Sequence, residues 1–274
     1  MESKMELNEI KSNWVNKNYD SKANLAAWDS MAERYKREVA LPDWESDPFL
    51  LQLSKEVDFS EKMSVLDIGC GTGGYAAALA KKAGHITGTD ISFQMLIRAK
   101  SLIESLNIEN VEFICTDFCE FELDKKFDLV FAHLTPAVSS AETFEKMLSL
   151  ASNYCYLVKP VHRTDPVSEA VKKAAGLNGK PSNFDKELYY AFSMLWQKGL
   201  LPSLSYYKTQ WKMEKTIDEA VAWYINRIKN QIKMDSASEK KAISYLESIS
   251  VDGKVYETIS TTVATMGWQM QGRK

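Results

Sequence analysis

Between residues 65 and 158 the chain alternates short apolar runs with longer amphipathic stretches. The runs fall at 65–68, 85–89, 111–115, 129–132 and 154–158. Each is too short for a buried helix and has no polar alternation, which is the pattern of strands buried on both faces of a parallel sheet. The stretches between them, at 75–83, 92–106 and 141–151, are long enough for crossover helices. Before this region, Trp28, Met31, Ala32, Tyr35 and Val39 recur at helical spacing, and Leu41-Pro42-Asp43 ends that helix because proline cannot continue it. A second helix is expected at 49–57, and residues 1–20 read as a polar helix or arm.

After Lys159-Pro160 the regularity breaks. Residues 205–215 and 255–266 fit two further strands. Thr216 and Glu219 form a capping-box spacing ahead of a helix, and another helix is expected at 238–249. The pattern thus predicts an α/β architecture with about seven strands in a mostly parallel sheet, helices on both faces and an inserted, aromatic-rich cap. The expected division is 1–60 as N-terminal helices covering the ligand site, 61–162 with 205–274 as core, and 163–204 as the cap.

Composition narrows the class without naming a chemistry. Apolar residues make up 45% and charged residues 26% of the 274 positions, as in an ordinary globular protein. The net charge of −3 gives no electrostatic footprint for non-specific nucleic-acid binding. The N-terminal residues lack the apolar core of a signal peptide, and no run of about 18 apolar residues is long enough to span a membrane. Cys70, Cys115, Cys119 and Cys155 are scattered, and with only His85, His133 and His162 beside them no metal site is expected. Free thiols fit a reducing cytoplasm.

The chemistry is concentrated after the first three runs. Gly69, Gly71 and Gly74 satisfy G-x-G-x-x-G at a strand-to-helix turn, where backbone N–H groups meet a ligand closely. Alone this dinucleotide fingerprint is a weak signal, and an NAD-dependent dehydrogenase would use the same glycines. Three acids shift the balance. Asp67, two residues before the first glycine, would repel a pyrophosphate but suits an ammonium group. Asp90 ends the second run, where a carboxylate accepts both hydroxyls of a ribose. Asp117 follows the third run and is placed to accept from an adenine amino group, with Phe118 beside it. A ribose, an adenine and a positively charged amino acid without phosphate describe S-adenosylmethionine.

With these residues in view, segment 65–159 resembles the class I S-adenosylmethionine-dependent methyltransferases, enzymes with a Rossmann-like fold. Val65-Leu66-Asp67-Ile68-Gly69-Cys70-Gly71-Thr72-Gly73-Gly74 is similar to their first motif. Thr89-Asp90-Ile91-Ser92 is similar to the ribose motif, which implies Ile91 beside Asp90 at the cofactor, and Thr116-Asp117-Phe118 to the adenine motif. Phe127-Asp128-Leu129-Val130 resembles the fourth motif strand. Trp28-Asp29-x-x-Ala32-x-x-Tyr35 resembles the entry helix of the ubiquinone-biosynthesis type, which implies Tyr35 near the methionyl end. The Asn/Asp-Pro-Pro-aromatic tetrapeptide of base and glutamine methylating enzymes is replaced by Ala132-His133-Leu134-Thr135-Pro136. That replacement, with the charge, argues against nucleic acid and for a small-molecule acceptor. A tRNA or protein methyltransferase and a non-catalytic S-adenosylmethionine binder are the alternatives.

Acceptor residues are sought where strands end. His133 follows the fourth run and is a candidate base or cofactor contact, and His162 follows the fifth. Arg163 is a candidate for an anionic substrate group. Residues 184–224 hold ten aromatics in 41 positions, against 11% over the whole chain. They either pack the insertion or line a pocket, and Trp196 and Trp211 are the pocket candidates.

Overall fold

The computed structural model describes residues 6–16, 20–38, 41–177, 185–229 and 234–270, with backbone alone at 27, 30, 31, 33–38 and 185. Met31, Tyr35, Val39 and Phe184 of the expectations above therefore lie outside the described side chains. The chain begins with α1 (Leu7–Asn13), α2 (Ser21–Glu38) and α3 (Pro48–Glu56). It then alternates: β1 (Ser64–Ile68), α4 (Gly74–Leu79), β2 (His85–Asp90), α5 (Phe93–Ser105), β3 (Val111–Cys115), β4 (Phe127–His133), α6 (Ala141–Leu150) and β5 (Ala151–Thr164). There follow α7 (Pro166–Ala174), α8 (Asp185–Gln197), β6 (Ser203–Thr216), α9 (Ile217–Lys229), α10 (Ser236–Ser248) and β7 (Lys254–Gln269).

The strands form one seven-stranded sheet in the order β3-β2-β1-β4-β5-β7-β6. The pairs β1–β2, β1–β4, β2–β3 and β4–β5 are parallel. Chain order reverses at β1, whose neighbours are β2 and β4, and in such a sheet ligands bind beyond the strand C-termini at this switch point. This is the Rossmann-like architecture that the alternating runs predict. At the other end of the sheet the Asp128 carboxylate accepts from the Ser64 N–H at 2.8 Å and hydroxyl at 2.9 Å, tying β4 to β1.

Compactness divides the chain into two units. The first comprises 1–159, 186–205 and 264–274; the second comprises 160–185 and 206–263. The boundaries fall inside β5, β6 and β7 and after the first residue of α8. They differ from a 163–204 cap, because α8 groups with the first unit and 206–263 with the second. Lys159-Pro160 does not end β5, which runs on to Thr164. Proline lacks only an N–H donor and φ freedom, so a strand continues through it where that donor is not needed.

The first unit buries Val65, Leu66 and Ile68 of β1 and Leu129, Val130 and Phe131 of β4 completely. Burying such side chains stabilises by about 1.5–3 kcal/mol each. The second unit has its own cluster of Val171, Tyr224, Ile225, Ile228, Leu246 and Val255. Within it, buried Glu257 accepts from the Val167 N–H at 2.9 Å and the Tyr224 hydroxyl at 2.5 Å. The expected capping box is present, with the Thr216 N–H donating to Glu219 Oε2 at 2.9 Å.

Candidate functional site

The turn after β1 carries the first part of the site. Gly69 has φ +69°, and a Cβ there would lie 2.0 Å from Thr135 Oγ1, so only glycine fits against the turn that follows β4. Gly71, at φ +54°, would carry its Cβ into open space, so its backbone is approachable. The Gly71 N–H donates to Asp90 Oδ2 at 2.9 Å, and the Ser92 N–H donates to Asp90 Oδ1 at 2.9 Å. Parallel pairing of β1 and β2 thereby brings the glycine turn and the second acid together.

Asp67 is 3% exposed, and its carboxylate makes no hydrogen bond among the described residues. Burial, and then the neighbouring Asp90, push its carboxyl well above the usual range. Asp90 is raised too, chiefly by burial, against the opposing effect of its Ser92 and Gly71 N–H bonds. Two desolvated carboxylates side by side are a costly arrangement that a cationic ligand relieves. The amino acid end of S-adenosylmethionine fits this donor set, whereas a pyrophosphate would worsen it.

Asp117 follows β3. Its Oδ1 accepts from the Cys119 N–H at 3.0 Å and its Oδ2 from the Ser21 hydroxyl of α2 at 2.7 Å. Phe118 is buried and stacked on Phe121 at 6.2 Å, with Lys146 Nζ 5.8 Å from its ring centre. Ile91 is half-buried beside Asp90. The helix α2 also reaches the second turn, where the Ser92 hydroxyl donates to Asp29 Oδ1 at 2.5 Å while accepting from the Met95 N–H at 3.1 Å. Thus α2 is pinned over both the β2 and β3 turns.

His133 ends β4 and is half-buried among rings: Tyr75 at 4.2 Å and Phe49 at 5.2 Å between centroids. This burial lowers its pKa to about 3, against the pull of its own backbone carbonyl. Its Nε2 lies 3.1 Å from Tyr75 Oη, which donates to Asp47 Oδ2 at 2.9 Å. Asp47 Oδ1 meanwhile caps α3 through the Phe49 and Leu50 N–H groups at 3.0 and 2.9 Å. Leu134, next to His133, has φ +51°, a strained conformation for a branched side chain. Beyond it, buried Lys159 donates to the Thr135 carbonyl at 3.0 Å and pairs with Glu187 of α8 at 2.9 Å.

The acids Asp67 and Asp90 and the glycines are brought together, with Asp117 at the end of the next strand, while the expected acceptor residues are dispersed. His162 is exposed on β5 in the second unit. Arg163, also there, donates through Nε to Asp165 Oδ1 at 2.9 Å, and Arg227 Nη2 donates to Asp165 Oδ2 at 2.9 Å, so the guanidinium serves an ion cluster of that unit. Trp211 lies exposed on β6 of the second unit. Trp196 belongs to the first unit, stacked on Phe192 at 5.9 Å. It lines a cavity of about 1020 Å³ between α1 and α8, with Leu7, Ile10, Tyr189 and Phe192, which shares no residue with the glycine turn. Sequence reasoning missed Ser21, Asp47, Tyr75, Lys159 and Glu187. An Asp-Pro helix start was the only local signal, at Asp47.

Comparison with known proteins bears on this geometry. Residues 59–220 match the family model described as "Methyltransferase domain". Malonyl-[acyl-carrier protein] O-methyltransferase of Acetivibrio thermocellus is 37% identical over 82 residues, 29% of this chain and 28% of that protein. Ribosomal protein L11 methyltransferase of Lactobacillus johnsonii is 37% identical over 86 residues, 31% of this chain and 27% of that protein. The aligned stretches thus span little more than a quarter of these curated relatives. The crystal structure of magnesium protoporphyrin IX methyltransferase from Synechocystis PCC 6803, with bound S-adenosylhomocysteine, superposes with a TM-score of 0.54 at 16% identity, covering 90% of this chain and 99% of that one.

Proposed function

This chain belongs to the methyltransferase-domain family of class I S-adenosylmethionine-dependent enzymes, and we propose that it transfers the methyl group of S-adenosylmethionine to a small-molecule acceptor. The single observation that carries the cofactor half is the buried Asp67 carboxylate, without a hydrogen bond among the described residues and raised in pKa beside Asp90 at the sheet's switch point.

In this reading Asp67 takes the ammonium of the methionyl group. Asp90 accepts from the ribose hydroxyls, and Gly69 and Gly71 let the backbone come close. Asp117 accepts from the adenine amino group, with Ile91 and Phe118 packing at the ring. Ser21 and Asp29 hold α2 over these turns, the part of the N-terminal cover that these contacts fix. When bound, S-adenosylmethionine supplies a methyl group on a sulfonium that is already a strong electrophile. The protein's task is then to orient the nucleophile in line, exclude water and take up a proton. His133 stands at the end of β4 beside this site, and because burial lowers its pKa to about 3 its place is that of a neutral contact, with in-line alignment carrying the transfer.

Relatives named for malonyl-[acyl-carrier protein], a ribosomal protein and magnesium protoporphyrin IX leave the acceptor class to be settled by this chain's own properties. Its net charge of −3 favours a small molecule over RNA. Cys115 and Cys119 are free and exposed, which favours a reducing, cytoplasmic setting, and no described helix is long and apolar enough to cross a membrane.

Incubation with S-adenosylmethionine labelled in the methyl group and a cell extract, followed by separation into metabolites, RNA and protein, tests the proposal. Label in the metabolite fraction is expected. Label confined to RNA or protein would overturn the acceptor class. Tight cofactor binding with no label anywhere would make the protein a binder without turnover.

A further inference from the structure

Two consecutive residues of β5 hold two consecutive residues of the turn that follows β4. The Leu134 N–H donates to the Val158 carbonyl at 3.0 Å, and the Lys159 ammonium donates to the Thr135 carbonyl at 3.0 Å. Lys159 is buried, and its Nζ also pairs with Glu187 Oε2 of α8 at 2.9 Å. Leu134 has φ +51°, a conformation that a branched side chain keeps only where its surroundings impose it. All of these residues belong to the first unit.

What this grip keeps in place is the Thr135 side chain. Thr135 is buried, and its Oγ1 accepts from the Ala137 N–H at 3.2 Å. Its side chain fills the space on Gly69 where any other residue would carry a Cβ. The glycine turn is thus held at Gly69 by Thr135 and at Gly71 by Asp90, which accepts the Gly71 N–H at 2.9 Å. A buried ammonium–carboxylate pair adds little stability over apolar side chains of the same shape, because both charges lose their water. Its distinctive contribution here is a fixed donor aimed at one carbonyl.

We propose that Lys159, anchored by Glu187, is a positioning residue that seats Thr135 against Gly69 and so sets the shape of the turn that receives the cofactor. The role toward the cofactor rests on the methyltransferase reading; the seat at Gly69 does not. The route runs from the ammonium to the Thr135 carbonyl, from there to the Thr135 side chain, and on to the Gly69 backbone. Without the ammonium the Thr135 carbonyl loses its donor and Leu134 loses one of the two restraints beside it. The turn then relaxes and the Thr135 side chain leaves Gly69. A left-handed glycine without that neighbour has a wider choice of backbone angles, and the turn no longer meets a ligand in one shape.

The seat is read first in the ligand-free, full-length protein. Ile68-Gly69 is the one Ile-Gly pair in the sequence. Isoleucine labelled with carbon-13 at the carbonyl and glycine labelled with nitrogen-15 therefore give a single correlated NMR signal, that of the Gly69 amide. Lys159→Met, close to lysine in shape, is expected to displace that signal. Titration with S-adenosylhomocysteine reads the cofactor half. Lys159→Met and Thr135→Ala are each expected to weaken binding about tenfold, the scale of one hydrogen bond to a charged group. In the Thr135→Ala background Lys159→Met is expected to add less than about twofold, because the two act along one route. An unmoved Gly69 signal or wild-type affinity in folded Lys159→Met would overturn the proposal. So would a full tenfold loss in the Thr135→Ala background, which would mean that the ammonium acts by its charge. If Lys159→Met fails to fold, Glu187→Ala, at the half-exposed end of the pair, is read by the same criteria. No binding of S-adenosylhomocysteine by the wild type would sink the functional reading, and the Gly69 signal would still decide the seat.

Discussion

Asp67 and Glu257 are both buried carboxylates, 3% and 6% exposed, yet they do opposite things. Glu257, in the second unit, accepts from a helix N–H and a tyrosine hydroxyl, and both of its oxygens are used. Asp67, in the first unit, has no hydrogen bond among the described residues and sits beside another acid. A buried polar group costs free energy unless it is paired. Glu257 meets that cost inside the fold and so ties α7, α9 and β7 together. Asp67 has no such partner among the described residues, so solvent or a ligand must supply the missing bonds. Burial alone would give both residues the same role. The partners separate structure from site.

The difference can be broken most forcefully at the two carboxylates themselves. Glu257→Ala leaves the Val167 N–H and the Tyr224 hydroxyl unpaired and should cost about 2–4 kcal/mol of stability, read by denaturant unfolding. Asp67→Asn should do the reverse: stability unchanged or raised by roughly 1 kcal/mol, because an unpaired buried charge is gone. Affinity for S-adenosylmethionine should fall by about 3 kcal/mol, the scale of a charge-assisted contact in a buried site. Asp90→Ala is expected to be milder, weakening the cofactor by about 1.5–3 kcal/mol while also freeing the Gly71 and Ser92 N–H groups.

Acidification sharpens the same contrast without mutation. The Asp67 carboxyl is raised above its unfolded value, so the ligand-free protein binds more protons than the unfolded chain between the usual carboxylate range and the raised value. Its contribution to stability therefore increases as pH falls through that window. Cofactor affinity should move the opposite way, since the ammonium needs the ionised carboxylate. Calorimetry in buffers of different ionisation enthalpy should detect proton release on binding. The smallest effect is expected at Ser21, whose hydroxyl holds Asp117 Oδ2. Ser21→Ala should change adenosine affinity by less than about 1 kcal/mol, upward if the adenine amino group takes the same oxygen.

The turns proposed for the cofactor were legible in the sequence because each lies in one continuous stretch: Asp67 to Gly74 at the end of β1, Asp90 at the end of β2, Asp117 after β3. Strand periodicity places those stretches at one edge of the sheet, so no long-range contact has to be guessed. The chain to His133 was not legible, since its links join positions 28 and 58 residues apart. Asp47 reads locally as a helix cap and Tyr75 as one more apolar position. Arg163 shows the opposite error. Its partner Asp165 is only two residues away, but that pairing depends on β5 continuing through Pro160 and on Arg227 approaching from α9. The density of aromatics after residue 184 likewise carried no information about which rings share a cavity, because β6 carries Trp211 into the second unit and α8 carries Trp196 into the first.

The most direct measurement is calorimetric titration of the wild type and Asp67→Asn with S-adenosylmethionine and, separately, with adenosine. An Asp67 that awaits a cation predicts a loss of about 100-fold for S-adenosylmethionine in the variant and equal adenosine affinity for both proteins. Equal S-adenosylmethionine affinity for the two would contradict it, and the buried carboxylate would then have no ligand to explain it.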